Sequence, residues 1–490
     1  MKKFLFITLL VSLISCLFSA CEDDDFTSDS SYKLTLSKDT LSFDTLYTNY
    51  LSATQRIMIY NDTKENIRIN EIRLVSSYDC FQVNVNGRSG NSFQDVELKA
   101  HDSMYVFVQV KIKELGQNAP LSILGSLVFS YNGNTQNVIL STCGQDVHLL
   151  KGATITEDTH WTNDKPYLIY DSLSITENAK LTIDAGTKLY FYTNAYLVVH
   201  GKLEVLGDEH YPVLFRGHRT DYIYDDVKYD KIVGQWGGII FAKESYDNKL
   251  SGAIIRSSEF GIEIEESEMK EDVYKLTLAN SCIHNTKGSA LNAINAKVYA
   301  YNTEFSNSLN ACLMLQGGDY LFNHCTIVNC PRNSRFNNAV MLLNTKYYTD
   351  EPIIPLVKAD FNNCIIYGTN QQEVKFGSSN EDKGNEENLN YHFNSCLIKY
   401  ANTDNSFAAN PRFTNVTWTA VEPLLLFKKI DHTNYEYDYS LSPISPAINK
   451  ANEEILTLYP ECKTDKKGTD RMLDALPDLG AYEYISEIKK

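Results

Sequence analysis

A four-residue phrase returns along the second half of the chain. Asn280-Ser281-Cys282-Ile283 is followed by Asn302-Thr303-Glu304-Phe305, Asn323-His324-Cys325-Thr326, Asn362-Asn363-Cys364-Ile365 and Asn394-Ser395-Cys396-Leu397, and preceded by Ser257-Ser258-Glu259-Phe260. The third positions are 23, 22, 21, 39 and 32 residues apart. A period of about two dozen residues is the signature of a solenoid, whose coils bury their apolar faces only by stacking. The short steps are single coils; the two long ones carry extra loop, and the longer approaches two coils. Each coil contributes short strands that pair in parallel with its neighbours about 4.8 Å away, so like residues stack. The repeat therefore predicts an asparagine ladder of Asn280, Asn302, Asn323, Asn362 and Asn394 at a turn. It also predicts a column of Cys282, Cys325, Cys364 and Cys396, small stackable hydrophobes rather than catalytic thiols.

Upstream, Leu181-Thr182-Ile183, Leu197-Val198-Val199, Leu203-Glu204-Val205 and Val213-Leu214-Phe215, punctuated by Gly186, Gly201, Gly207 and Gly217, read as opening coils. Helical periodicity is nearly absent. The 32 tyrosines among 490 residues, beside only 12 prolines, fit sheet faces, because Tyr suits a half-buried pleated surface. Residues 32–147 have a different pattern, with about seven short alternating runs such as Ile57-Met58-Ile59 and Val106-Phe107-Val108 separated by turns, Tyr131-Asn132-Gly133-Asn134 among them. That pattern predicts an antiparallel β-sandwich acting as a spacer. Cys80 and Cys143 within it are either a bridge or two buried thiols.

The N-terminus reads as an address. Lys2 and Lys3 precede an apolar run over residues 4–18, which closes on Phe18-Ser19-Ala20-Cys21; the run is too short to span a bilayer. It resembles a bacterial lipoprotein signal with residues 17–21 as the lipobox, which implies that Cys21 takes the lipid and becomes the mature N-terminus. Residues 1–20 are then signal peptide. Residues 21–31, opening on Glu22-Asp23-Asp24-Asp25, form an acidic linker that is similar to the surface-export tract of some Gram-negative lipoproteins. The expected location is the outer membrane, lipid-anchored and facing the cell exterior. A formal net charge of −17 opposes a nucleic-acid partner.

Residues 148–450 resemble the right-handed parallel β-helix family, the fold of pectate lyases, polygalacturonases and many bacterial surface lipoproteins. The likeness rests on the coils, on Gly234-Gln235-Trp236-Gly237-Gly238, and on a C-terminal pattern of Asn410-Pro411-Arg412-Phe413, Leu441-Ser442-Pro443-Ile444-Ser445-Pro446, Gly468-Thr469-Asp470-Arg471 and Asp478-Leu479-Gly480-Ala481-Tyr482-Glu483. It implies an all-β protein: an N-terminal immunoglobulin-like β-sandwich, then a right-handed parallel β-helix with a C-terminal cap. The closing segment, residues 451–490, is expected to cover unpaired strand edges, latched by Arg471 on Asp478 or Glu483.

Chemistry on such a fold needs side chains stacked on neighbouring coils. Glu259 and Glu304 share a template position two coils apart, about 9–10 Å by strand spacing, near the upper end of the roughly 6.5–9.5 Å used in inverting glycoside hydrolysis. Arg332, Arg335 and Lys346 lie in the long insertion, as a lyase acting on acidic polysaccharide requires, although they match no lyase motif. Asp221, Asp225, Asp226 and Asp230 offer oxygen ligands for Ca²⁺ without the spacing of a known loop. Tyr222, Tyr224, Tyr229, Trp236, Tyr347 and Tyr348 are candidate rings for sugar faces. With no recognisable catalytic set, the leading expectation is a glycan-binding or adhesive surface protein. A polysaccharide lyase or glycoside hydrolase is one rival, and a structural partner in an outer-membrane uptake complex is the other.

Overall fold

The computed structural model describes residues 25–224, 227–333, 336–347, 353–377, 387–401 and 410–486. The expectations placed on Cys21, Asp225, Asp226, Arg335, Tyr348 and the side chain of Tyr224 lie outside the described residues. The chain divides into two compact units, Met1–Asp146 and Val147–Lys490.

The second unit is a right-handed parallel β-helix. Among the described residues its three all-parallel sheets hold 11, nine and ten strands. Sheet I runs from His148–Lys151 to Thr417–Thr419, sheet II from Thr154–Ile155 to Val374–Phe376, and sheet III from Thr159–Trp161 to Phe413–Thr414. Inward positions are apolar and stay in register from coil to coil. One sheet I column is Phe215, Ile255, Ile283, Phe305, Ile327, Ile366 and Ile398, all fully buried or nearly so. From sheet III, Phe322, Phe361, Phe393 and Phe413 stack with ring centroids 4.9, 4.8 and 5.2 Å apart. The strand spacing thus doubles as an aromatic stacking distance.

The corner from sheet III to sheet I is where the template belongs, and there the register corrects it by one residue. The pairing aligns Gly252, Asn280, Asn302, His324, Asn363, Ser395 and Asn415. All seven are left-handed, with φ between 49° and 58°. Asn and Gly recur there because they adopt that conformation at least cost. The predicted single ladder is therefore two. Asn302 Nδ2 donates to Asn280 Oδ1 at 3.1 Å, and Asn363 Nδ2 meets His324 Nε2 at 2.9 Å. In the adjacent column Asn362 donates to Asn323 at 2.9 Å and Asn394 to Asn362 at 3.3 Å.

The cysteine column is corrected in the same way. Cys325, Cys364 and Cys396 align with Ser281 and Thr303, and each of the five donates to the carbonyl two residues earlier, at 2.8 to 3.5 Å. Cys282 sits one residue further on and points outward, in register with Glu304 and Thr326. Burial pushes the Cys364 and Cys396 thiols well above their usual range, so they serve as small buried donors.

The closing segment lies along a flank. Sheet I presents Val328, Ile365, Tyr367 and Leu397 outward, and Leu426, Phe427, Tyr439, Leu441, Ala447, Leu479 and Ala481 pack on them as a second core. The sequence predicts cover for an open end, but this outward apolar strip gives the segment a larger surface to bury. It starts earlier than residue 451, with the hairpin Phe427–Asp431 and Glu436–Leu441. Gly480, at φ 86°, comes so close that a Cβ there would meet Thr326 Oγ1 at 2.6 Å. The expected latch is present: Arg471, 0% exposed, pairs with Glu483 at 2.6 Å and donates to the Gly480 carbonyl and to Asn302 Oδ1 at 3.0 and 2.8 Å. With Asp478 the bond is to the backbone carbonyl, at 3.4 Å.

The first unit is a sandwich of a six-stranded and a five-stranded sheet around Ile57, Ile69, Val106, Val108, Leu127, Phe129 and Leu140. Phe26–Thr27, expected to be linker, pairs with Asn66 and Ile67, and the Arg68 guanidinium lies over the Phe26 ring, 4.3 Å from its centre. Cys80 and Cys143 are separate thiols rather than a bridge.

Arg471→Met leaves the Glu483 carboxyl buried without its partner and Asn302 without its donor. The β-helix is expected to lose about 3–5 kcal/mol, read as a lower urea midpoint for its unfolding transition.

Candidate functional site

The richest concentration of polar side chains lies on sheet II and at its corner with sheet III. The outward sheet II row is Ile240, Glu263, Asn292, Met314, Met341 and Lys375. Asn292 Nδ2 donates to Glu263 Oε2 at 2.8 Å, Gln316 Nε2 to Asn292 Oδ1 at 2.6 Å, and the Tyr347 amide to Gln316 Oε1 at 2.7 Å. Burial pushes the Glu263 carboxyl up to about 7 against the pull of Asn292. A carboxyl that titrates near neutrality on an open sheet face is chemically poised for proton transfer.

At the corner, the turns at 242–247 and 265–270 border a shallow, open groove of about 560 Å³. Its floor is built on Lys275, 1% exposed, whose ammonium donates to the carbonyls of Ala242, Lys243 and Ser245 at 2.7, 3.1 and 2.9 Å. Burial pulls Lys275 down to about 8. It holds the turn that presents Tyr246, whose hydroxyl donates to the Glu268 carbonyl at 2.7 Å. Lys275 lies 4.6 Å from the Tyr246 ring centre, while exposed Lys270 lies 3.7 Å away on a long, displaceable stem. Glu266, at the rim, pairs with Lys346 at 2.6 Å. Ser267 is buried, and its hydroxyl has no hydrogen-bond partner.

A second cleft lies at the corner of sheets I and II. It is bounded by residues 231–233 and the C-terminal hairpin, and is lined by Asn285, Asn307, Arg332, Tyr435 and Tyr437 among others. Arg332 sits over the Tyr435 ring at 4.8 Å.

The remaining expected residues scatter. Glu259 and Glu304 do not form a pair: the strand carrying Cys282 pairs with Ile254, so Glu259 falls in the following turn. There it forms an exposed ion pair with Lys287 at 2.8 Å. Glu304 points outward beneath the closing segment, where it accepts from Ser306 Oγ at 2.6 Å and from the Tyr482 hydroxyl. Trp236 is core, 1% exposed, stacked on Phe191 at 4.3 Å with its indole N–H on the Arg256 carbonyl. Tyr222 is exposed beside Lys228, and Tyr229 lies beneath Arg219 at 3.4 Å. Tyr347 packs on Met314, Met341 and Leu343 and shares a hydrogen bond with Asn337. Of the four calcium candidates, Asp221 and Asp230 are described. Asp221 pairs with Arg219, and Asp230 with Arg216 and Arg256 at 3.2 and 2.8 Å, so both carboxylates are already neutralised. No group of three or more His, Cys, Asp or Glu side chains that can hold a metal occurs among the described residues.

Sequence reasoning missed Glu263, Lys275, Tyr246 and Ser267. Asn292 and Glu263 share a column, so a template read on sheet II would have aligned them. Nothing in the sequence around Lys275 marks it as buried.

The raised Glu263 carboxyl sets a pH dependence. Between about pH 4.5 and 7 the folded chain keeps a proton that the unfolded chain has released, so this contribution to stability falls as pH rises. Relative to Glu263→Gln, the wild type is expected to lose on the order of 2–3 kcal/mol between pH 4 and pH 8. Thermal melts of both proteins across that range measure it, and a constant gap between them refutes the assignment.

No protein-family model and no curated protein matches the chain. Among solved structures, one similar chain is a family 123 glycoside hydrolase from Clostridium perfringens described for glycolipid glycan hydrolysis, at 7% identity and a TM-score of 0.18, covering 25% of this chain and 30% of that one. Another is the VesB protease of Vibrio cholerae, at 13% identity and a TM-score of 0.15, covering 24% and 33%. The chain spans about a third of the length of either, and likeness at that level carries no argument about activity.

Proposed function

We propose that this chain is a lipid-anchored outer-membrane surface protein that binds glycan in the groove between sheets II and III. The observation that carries the binding reading is the Tyr246 ring on the wall of a groove of about 560 Å³ with the Glu266–Lys346 ion pair at its rim. An aromatic face supplies the apolar contact a sugar ring needs, and the Glu266 and Lys346 side chains supply hydrogen bonds. The anchoring reading rests on the Cys21 signal alone. Cys21→Ser is expected to abolish labelling by a fatty-acid probe and move the protein from the membrane fraction to the soluble one.

One observation favours an enzyme instead: the Glu263 carboxyl held up to about 7 on the neighbouring sheet face suits a general acid or base. Incubation with a glycan the protein binds separates the readings. Unchanged product mass supports a binder, whereas new reducing ends or unsaturated ends that Glu263→Gln abolishes support a hydrolase or lyase. For the binder, Tyr246→Ala is expected to weaken glycan affinity by about tenfold, equivalent to about 1.4 kcal/mol, with far-ultraviolet circular dichroism unchanged. Undiminished affinity in Tyr246→Ala removes the groove from consideration. Co-purification with a transporter and no glycan affinity would favour a role in an uptake complex.

A further inference from the structure

The cleft at the corner of sheets I and II has a chemistry distinct from that of the groove. Its cavity is small, about 40 Å³. At its base Asn307 is 2% exposed; its Oδ1 accepts from the Tyr439 hydroxyl, while its Nδ2 has no hydrogen-bond partner. A buried amide N–H facing a cavity without an acceptor is uncommon in a folded protein and marks a place where an acceptor belongs. Arg332 stands exposed at the mouth over Tyr435, and no carboxylate of the described residues lies within ion-pair distance of it. Lys231 is fixed at the rim by the Asn434 carbonyl at 2.7 Å. Of the carboxylates nearby, Glu436 is engaged by Lys429 and lies 3.8 Å from Lys231, and Asp431 is bonded to the Thr433 and Asn434 amides and the Asn434 side chain. Donors and positive charge thus converge on a small space, on a chain whose net charge is −17.

We infer that this cleft is a second binding site, which takes an oxyanion of the carboxylate or sulfate type. Arg332 forks onto two of its oxygens in the planar geometry guanidinium favours. Asn307 Nδ2 donates to the oxygen that reaches deepest. Tyr435 and Tyr437 flank the mouth, so a ring bearing the anion has an aromatic wall to rest on. The site depends on the C-terminal hairpin being seated against sheet I, because Asn307 receives the Tyr439 hydroxyl and Arg332 the Tyr435 ring.

The test titrates the full chain with sodium sulfate, sodium glucuronate and, as controls, sodium chloride at matched ionic strength and neutral glucose. Melting temperature and tyrosine fluorescence are the readouts. Wild type is expected to show a saturable response to sulfate, glucuronate or both, and none to the controls. Response to sulfate alone assigns a free inorganic anion as the source, and response to glucuronate assigns a saccharide-borne one. Arg332→Gln, on the exposed mouth, is expected to weaken that response at least tenfold. Asn307→Asp keeps the acceptor for Tyr439 but places a carboxylate where the donor stood, and should abolish it. Equal responses in wild type and Arg332→Gln, or no saturable response to either anion, overturn the inference. Glycan binding in the groove, measured on Arg332→Gln in parallel, is expected to be unchanged, so failure at this cleft and failure at the groove are separate results.

Discussion

The β-helix depends on a backbone constraint at one corner. To pass from sheet III to sheet I, every coil from the one at Gly252 onward places a residue in the left-handed region, a conformation most side chains resist. Asn meets that demand and brings an amide that can bond to the coils above and below. Where Asn is replaced, His324 and Ser395 occupy the same conformation within the ladder rather than outside it. The residue after five of the seven left-handed positions then closes the turn with a small donor, Ala253 and Val416 being the exceptions. Ser281, Thr303, Cys325, Cys364 and Cys396 all bond the carbonyl two residues back. Cysteine at three of these positions follows from needing a weak donor that is also at home in an apolar core.

That corner is also where the closing segment is fastened. Asn302 bonds up the ladder to Asn280 and outward to the Thr464 carbonyl, and it accepts from Arg471. Asn363 exchanges two hydrogen bonds with Asn452, at 2.8 and 2.9 Å. The same amides therefore serve the coil and the strap. Arg471 and Glu483 then sit buried together, where burial, aided by the Asp478 charge, pushes Glu483 up to about 8 despite the cation beside it. A buried pair of this kind adds little net stability but makes any other seating of the segment costly, since each partner would be left uncompensated. The strap in turn buries Glu304 and half-covers Cys282 and His284 on the same outward face. His284 falls to about 4 under burial and stays neutral, and the Tyr482 hydroxyl satisfies Glu304.

The repeat was legible in the sequence because coil stacking forces a period, and the period survives whatever residues fill it. Register was not legible to the same degree. Asn stands in two adjacent columns, at 302 and 363 in one and at 323, 362 and 394 in the other, so matching letter to letter slipped by one place. In a strand one place is the difference between inside and outside, and that slip put Cys282 with the buried thiols. Glu259 is further off, five places beyond the Ile254 that pairs with Cys282, because Ser257-Ser258 imitates the corner motif within the next turn. The candidate sites were less legible still. The groove joins Tyr246, Ser267 and Lys346, and the second cleft joins Lys231, Asn307, Arg332 and Tyr435; the coil path and the strap, not local pattern, bring them together. Trp236 shows the converse error: set among three glycines it reads as a ring offered to a ligand, yet it is buried core stacked on Phe191.

What the strap leaves uncovered decides where recognition can occur. Sheet I is roofed by the hairpin and the residues after it, and part of sheet III by the segment carrying Tyr459 and Glu461, against which Tyr299 is buried. Sheet II is covered in part, with Met314 and Met341 buried under Tyr347, while Ile240, Glu263 and Asn292 are only half-buried. Its outward row passes from Ile240 through Glu263 and Asn292 to Met314 and Met341, polar in the middle and apolar beyond. The groove borders this sheet at its corner with sheet III, and the second cleft borders it at its corner with sheet I. The two sites therefore flank one face whose side chains are held at fixed spacing of about 4.8 Å per coil. A rigid ladder of this kind presents its outward side chains at a repeat fixed by the coils rather than by any local loop. The loops at the two corners are then the parts free to vary chemistry without disturbing the coil stacking on which the fold depends.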